Sequence, residues 1–163
     1  MSPVVACIGL GGNVGDVPAT LRAAIAEFDR LPDTRVLRAS RLYRTPAWGH
    51  ETQPAFVNAV ATVETGLAPR PLLDALLAIE NRHGRVRAGE PRWGPRTLDL
   101  DLLLYGDAVV DEPGLRVPHP HLHERAFVLV PLAEIAPDLR IPGHGTVRAA
   151  RAAVADDGIE ALA

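Results

Sequence analysis

Leu98-Asp99-Leu100-Asp101-Leu102 alternates leucine with acid. In a strand, a period of two puts both carboxylates on one face and the three leucines on the other. Aspartate is a poor strand former. Two of them about 7 Å apart along a strand repel each other unless something positive lies between. A divalent cation meets that need, and hard Mg²⁺ is satisfied by one or two carboxylates plus phosphate oxygens. The other reading is an exposed edge face paired with arginines. Immediately upstream, Arg82, Arg85, Arg87, Arg92 and Arg96 crowd into fifteen residues with few acids among them. A polyphosphate would relieve their mutual repulsion by bidentate pairing, whereas without one the run is a solvated surface loop. Trp93 adds a flat apolar surface to the same run. Arginines for phosphates beside carboxylates for magnesium make a phosphoryl- or nucleotidyl-transfer site.

Other residue types that could do chemistry carry less. Gly9-Leu10-Gly11-Gly12-Asn13-Val14-Gly15 stands where a dinucleotide fingerprint would, but Val14 occupies a position that needs glycine, so the segment reads as a tight turn. His119, His121 and His123 recur at period two, which could suggest zinc. Pro120 and the lack of supporting Cys or acids favour one histidine on a phosphate and two on the surface. Glu80 sits in the last turn of a helix against the dipole's preference, a faint hint of function that reads more readily as a surface charge. Cys7, the single cysteine, excludes an internal disulfide and reads as a small buried residue of the first strand.

The composition bounds the rest. All 17 basic residues are arginine, which removes a P-loop lysine, a Schiff-base lysine and a lysine general base. Any anion is held by arginine forks, backbone amides or metal ions. A net charge of -3 argues against a general nucleic-acid binder. With 163 residues, 47% hydrophobic and 23% charged, the chain predicts one globular domain over 1–163. No apolar run approaches the roughly 20 residues of a spanning helix, and no secretory signal is visible, so a cytoplasmic protein is expected.

The elements that must position these groups follow from periodicity. Val4 to Leu10 predicts a buried strand, broken by Gly11-Gly12. Asp16 caps a helix with Pro18 in its first turn, Leu21, Ile25, Phe28 and Leu31 on one face, and Pro32 as its end. Thr34 to Thr45 and Ala55 to Thr65 predict strands. In the second, Val57, Ala59, Ala61 and Val63 face one way and Phe56, Asn58 and Val60 the other. Pro69 opens a second helix with Leu72, Leu73, Leu76, Leu77 and Ile79 on its apolar face, ended by Gly84. Leu98 to Tyr105 is the next strand. Beyond Asp107 come a helix around Arg125 to Ile135 and a terminal helix over Thr146 to Ala155. Strand, helix, strand, strand, helix, strand is the ferredoxin-like pattern of an α+β sandwich.

Arg92-Trp93-Gly94-Pro95-Arg96-Thr97-Leu98-Asp99-Leu100-Asp101-Leu102-Leu103 resembles the signature of the 6-hydroxymethyl-7,8-dihydropterin pyrophosphokinases of folate biosynthesis. Gly11-Gly12-Asn13, Tyr43-Arg44-Thr45-Pro46, Phe56-Val57-Asn58-Ala59, Glu80, Gly84-Arg85-Val86-Arg87 and Val117-Pro118-His119 with Arg125 and Phe127 fall in family order. The resemblance implies a ferredoxin-like α-β-α sandwich with an antiparallel central sheet. It also implies transfer of the β,γ-diphosphate of ATP to the pterin hydroxymethyl group, with release of AMP. By the same resemblance, Asp99 and Asp101 hold two Mg²⁺ ions and, with Arg85 and Arg96, form the catalytic set. Glu80, Arg87, Trp93, Arg96, Leu102, His119 and Arg125 match ATP-binding positions; Thr45, Pro46, Trp48, Phe56, Asn58 and Phe127 match the pterin pocket. The expected partners are the two small-molecule substrates, with no nucleic acid, no membrane and a monomeric state.

The residues agree with that assignment, since a flat pterin needs aromatic faces such as Phe56 and Phe127 and an amide such as Asn58 for its edge. The chain departs from the family pattern at Gly12 for serine, at Leu77 for an amide, at Pro120 for an aromatic, and in a loop one residue longer around Gly89-Glu90-Pro91. Two other classes compete. A nucleotidyltransferase would share the carboxylates but release pyrophosphate. A ferredoxin-like binding module would share only the fold and form no product.

Overall fold

The structure, a computed structural model, describes residues 3–46, 55–84 and 97–162. β1 (Val4–Gly12) pairs antiparallel with β4 (Phe56–Thr65) on one side and with β5 (Asp99–Tyr105) on the other. Among the described residues, β5 ends the sheet. On the far side, β2 (Thr34–Ala39) lies against the C-terminal half of β4 and β3 (Tyr43–Thr45) against its N-terminal half. A short β10 (Glu160–Ala161) pairs outside β3. Two small hairpins, β6 (Val110–Glu112) with β7 (Leu115–Val117) and β8 (Arg140–Ile141) with β9 (Gly145–Thr146), complete the strands. With α1 (Val17–Phe28) after β1 and α2 (Pro69–Arg82) after β4, the chain follows the ferredoxin-like order, all antiparallel. α3 (Ala126–Ile135) and α4 (Val147–Ala152) cover the second face.

Alternation explains why the sheet is buried on both faces. Ala59, Ala61 and Val63 of β4 join a core with Leu21 and Phe28 of α1 and Leu72, Leu76 and Ile79 of α2. Val60 enters the other core with Leu129 and Leu132 of α3 and Val147 of α4. Each fully buried leucine contributes roughly 1.5–3 kcal/mol relative to exposure. β5 repeats the pattern with one irregularity. Leu98, Leu100 and Leu102 lie in the first core, Leu103 and Leu104 both lie in the second, and Tyr105 returns to the first. The pairing register slips opposite Cys7 and Ile8, so an extra residue is accommodated as a bulge. Cys7 is fully buried, and burial pushes its thiol up to about 12, as expected of an inert core residue.

Away from the site, three boundaries differ from the sequence expectation. The strand expected over 34–45 is two strands, because Ser40 interrupts it: its hydroxyl accepts from the Val60 N–H at 2.9 Å and donates to the Arg41 carbonyl at 2.7 Å. The first helix stops at Phe28 rather than at Pro32, and the Asp29 carboxylate accepts from the Val36 N–H at 2.9 Å, starting β2. Its start is as expected, with Asp16 accepting from the Ala19 N–H at 3.3 Å. The terminal helix is short, because the chain turns through Gly158, at a φ of +81°, to form β10. No helix among the described residues is long and apolar enough to cross a membrane.

Candidate active site

The strand register assembles the site in rows across the sheet. Asn58 of β4, Gly11 of β1 and Asp99 of β5 are direct neighbours in one row, and Val60, Gly9 and Asp101 in the next. Between the amide and the carboxylates, therefore, the sheet has no side chains. A Cβ on Gly11 would lie 2.6 Å from Asn58 Oδ1, closer than any real contact. Gly11-Gly12, expected as the break after β1, instead continue the strand and form the floor of the site. Asn58 is buried and its Nδ2 donates to Thr45 Oγ1 at 2.9 Å, which fixes which way the amide points. Gly11→Ala is expected to displace Asn58 and lower pterin affinity several-fold while leaving nucleotide affinity unchanged, as read by calorimetry with each ligand.

Two depressions meet at this floor. A small one of about 30 Å³ is lined by Gly9, Gly11, Asn58, Asp99, Asp101 and Phe127, among others. A larger one of about 710 Å³ is lined by Asp101, Leu77, Leu102, Arg116, His119 and Pro120, with the β6–β7 hairpin as its far wall. Asp101 belongs to both. That hairpin lies outside the elements expected from periodicity, although Pro113-Gly114 between Glu112 and Leu115 is a turn signal. Asp111, Glu112 and Arg116 thereby enter the cavity wall, and Arg70 of α2 steadies the hairpin by donating to Glu112 at 3.1 Å and to the Pro113 carbonyl at 3.0 Å.

His119 is half-buried, and its Nδ1 accepts from the His121 N–H at 3.3 Å. Burial first, then the positive charge of Arg125 and the neighbouring His121, push its pKa down to about 4, against a small opposing pull from Asp99. The ring is therefore neutral at pH 7, with its proton on Nε2, a donor. A histidine with a depressed folded-state pKa binds its proton more readily when unfolded. Stability is then expected to fall as pH drops from about 6.5 to about 4, by on the order of 2 kcal/mol after screening at this partly open position. Urea unfolding across that range should show the slope in the parent and a flatter one in His119→Gln; identical slopes would contradict this. Arg125, at the N-terminus of α3, lies over the Phe127 ring with its guanidinium carbon 5.7 Å from the centroid, linking a cation to the aromatic wall.

The remaining expected residues divide. Thr45 is buried, Pro46 is exposed beside Gly158, and Phe56 stands two residues before Asn58 on the same face, opposite Thr45. Leu102 is buried in the first core and borders the larger cavity. Glu80 corrects the surface-charge reading: it is 1% exposed, and its Oε2 accepts from the Leu100 N–H at 2.7 Å. Its burial was not legible because the helix-dipole argument says nothing about which face of α2 meets β5. His121 is exposed, while His123 is stacked on His144 with centroids 3.7 Å apart and planes within 9°. Among the described residues no group of three His, Cys, Asp or Glu side chains could hold a metal ion. Trp48, Arg85, Arg87, Trp93 and Arg96 lie outside the described residues.

A ferredoxin-like sheet that sets paired carboxylates where a large cavity meets a smaller, amide- and ring-lined pocket has the layout of a phosphate-group transferase. The family model described as 7,8-dihydro-6-hydroxymethylpterin-pyrophosphokinase (HPPK) matches residues 7–137, and the chain belongs to that family. It is 50% identical over 155 residues to the 2-amino-4-hydroxy-6-hydroxymethyldihydropteridine pyrophosphokinase of Pseudomonas aeruginosa, covering 95% of this chain and 94% of that one. The protein of the same name from Methylorubrum extorquens is also 50% identical over 155 residues, covering 95% and 96%. Among solved structures, the wild-type Plasmodium falciparum HPPK-DHPS with STZ-DHP superposes with a TM-score of 0.68 at 13% identity, covering 92% of this chain. This chain spans 41% of that longer one, and the likeness shows the α+β fold alone.

Proposed function

We propose that the chain transfers the β,γ-diphosphate of ATP to the hydroxymethyl group of 6-hydroxymethyl-7,8-dihydropterin, releasing AMP, as a pyrophosphokinase of folate biosynthesis. The hydroxymethyl oxygen gives up its proton and bonds to the β-phosphorus, while the bond from that phosphorus to the α-bridging oxygen breaks and AMP leaves with that oxygen. The observation that carries this reading is the position of Asp101, on the wall of both the larger cavity and the small pocket. A reaction between two bound substrates needs such a shared point.

The larger cavity suits the nucleotide. Leu77, Leu100 and Leu102 give it an apolar wall for a base. Alternation along β5 also turns the backbone N–H and C=O of Leu102 away from β1, toward that side, where they suit a purine edge. His119, through Nε2–H, and Arg125 supply donors for phosphate oxygens. In the smaller pocket, Phe127 offers a face to the pterin ring, and Asn58, oriented by Thr45, offers its amide to the ring edge. By family resemblance, Thr45, Pro46, Trp48 and Phe56 serve the same substrate. Arg87, Trp93 and Arg96 complete the nucleotide side by family resemblance, and Arg85 and Arg96 assist the transfer.

Asp99 and Asp101 fit magnesium: two hard oxygen donors on one strand face, at the junction where phosphates would lie. Two Mg²⁺ ions bound there would neutralise developing charge on the phosphates. The aspartates' own part is to hold that charge in place while the bare glycine floor lets both substrates approach. We assign the activity to one domain over 1–163, acting as a cytoplasmic monomer. The test is nucleotide analysis after incubation with ATP, Mg²⁺ and the hydroxymethyl pterin. AMP in step with a diphosphorylated pterin is expected; pyrophosphate, or no pterin-dependent product, would overturn the reading.

A further inference from the structure

We propose that Glu80 is a positioning residue: from α2 it holds the backbone between Asp99 and Asp101, and so sets how those two carboxylates are presented to metal and phosphate. The inference rests on the reading of Asp99 and Asp101 as the metal-binding pair.

Among the described residues, β5 pairs with β1 and with no other strand. Asp99 and Asp101 lie in register with Gly11 and Gly9 of β1, and alternation turns the N–H of the residue between them away from β1. That N–H belongs to Leu100 and meets Glu80 Oε2 at 2.7 Å. The Leu100 side chain is itself buried in the first core, so the residue between the two aspartates is fixed through both its backbone and its side chain. A carboxylate that is 1% exposed is retained against a large desolvation cost. It also carries the same charge as the pair it supports. A helix-surface acid would incur neither penalty, whereas a short charge-assisted bond to the strand gives the cost a purpose. Glu80 approaches β5 from α2, on the edge opposite β1, and acts on the aspartates through Leu100.

Reach and charge are separable. Glu80→Gln keeps the reach and an acceptor oxygen; Glu80→Asp keeps the charge but shortens the arm by a methylene. Two readouts avoid turnover: amide hydrogen exchange at Leu100 in the ligand-free protein, and binding of α,β-methylene ATP by calorimetry with and without Mg²⁺. In Glu80→Asp, exchange at Leu100 should accelerate about tenfold or more, and the Mg²⁺ needed for half-maximal nucleotide binding should rise about tenfold. Metal-free nucleotide affinity should stay within about twofold, and Glu80→Gln, which keeps the reach but loses the charge assistance, should fall between the parent and Glu80→Asp in both readouts. The proposal is overturned if Glu80→Asp matches the parent, or if Glu80→Gln is as impaired as Glu80→Asp. It is also overturned if metal-free nucleotide binding falls equally, which would make Glu80 a direct ligand. Nucleotide binding by the parent that ignores Mg²⁺ would instead contradict the metal reading, and exchange at Leu100 would still decide whether the tether exists.

Discussion

Asp101→Asn is expected to lower turnover on the order of a thousandfold or more, because a preorganised charge at a transferring phosphate is worth several kcal/mol and cannot be replaced by a neutral amide. Shape is nearly preserved, so the loss is one of charge rather than of packing. Asp101 is half-buried on β5, borders both depressions, and sits opposite Gly9, where nothing else on β1 could take over. Asp99→Asn should behave in the same direction, from one row along the strand. Pterin binding without nucleotide should change far less in either variant, since Asn58 and Phe127 line the pocket from β4 and α3. Single-turnover rates with saturating Mg²⁺–ATP, set beside calorimetric pterin binding, make the comparison. A fully active Asp101→Asn would remove the basis for the assignment.

Asn58→Ala is expected to weaken pterin binding by about 1–3 kcal/mol, the cost of leaving a buried amide-like edge of the ligand unpaired. The neighbouring hydroxyl of Thr45 also loses its donor at 2.9 Å, so a second group would be left less well oriented. Because Asn58 and the larger cavity's wall share no lining, affinity for α,β-methylene ATP should be unaffected. Calorimetry with each ligand separately reads the two effects. Equal weakening of both ligands, or of neither, would contradict separate pockets on one floor.

The parts of the site that were legible in the sequence are those written at short range. The alternation of Leu98 to Leu102 placed both aspartates on one face, and the alternation of Val57 to Val63 separated the faces of β4, because period-two patterns need no knowledge of neighbours. Tertiary partners decided the rest. Ser40 breaks an otherwise continuous strand only because its hydroxyl meets the Val60 N–H. Gly11 reads as a turn residue until Asn58 is known to lie beside it on the adjacent strand. Glu80 reads as a solvated acid until α2 is laid against the edge of β5. The bulge that sends both Leu103 and Leu104 into one core leaves no mark in a run of leucines. Tyr43 likewise looks like an ordinary strand aromatic. It in fact donates to Glu134 of α3 beside Arg41, an arrangement that ties the β3 edge to the helix carrying Phe127. Burial first, then that carboxylate, hold the Tyr43 hydroxyl above its usual range, so it remains a donor.

The central claim is that phosphate chemistry takes place over Asp99 and Asp101, where the two depressions meet. Anomalous scattering from Mn²⁺ in crystals grown with α,β-methylene ATP and the hydroxymethyl pterin tests it most directly. The methylene group replaces the oxygen whose bond must break, so the substrates stay intact. Mn²⁺ density bridging the two carboxylates and the triphosphate is predicted, with the pterin hydroxymethyl group directed at the β-phosphorus from the Asn58 side. Mn²⁺ and triphosphate bound away from the aspartate pair, or a pterin outside the pocket that holds Asn58 and Phe127, would contradict it.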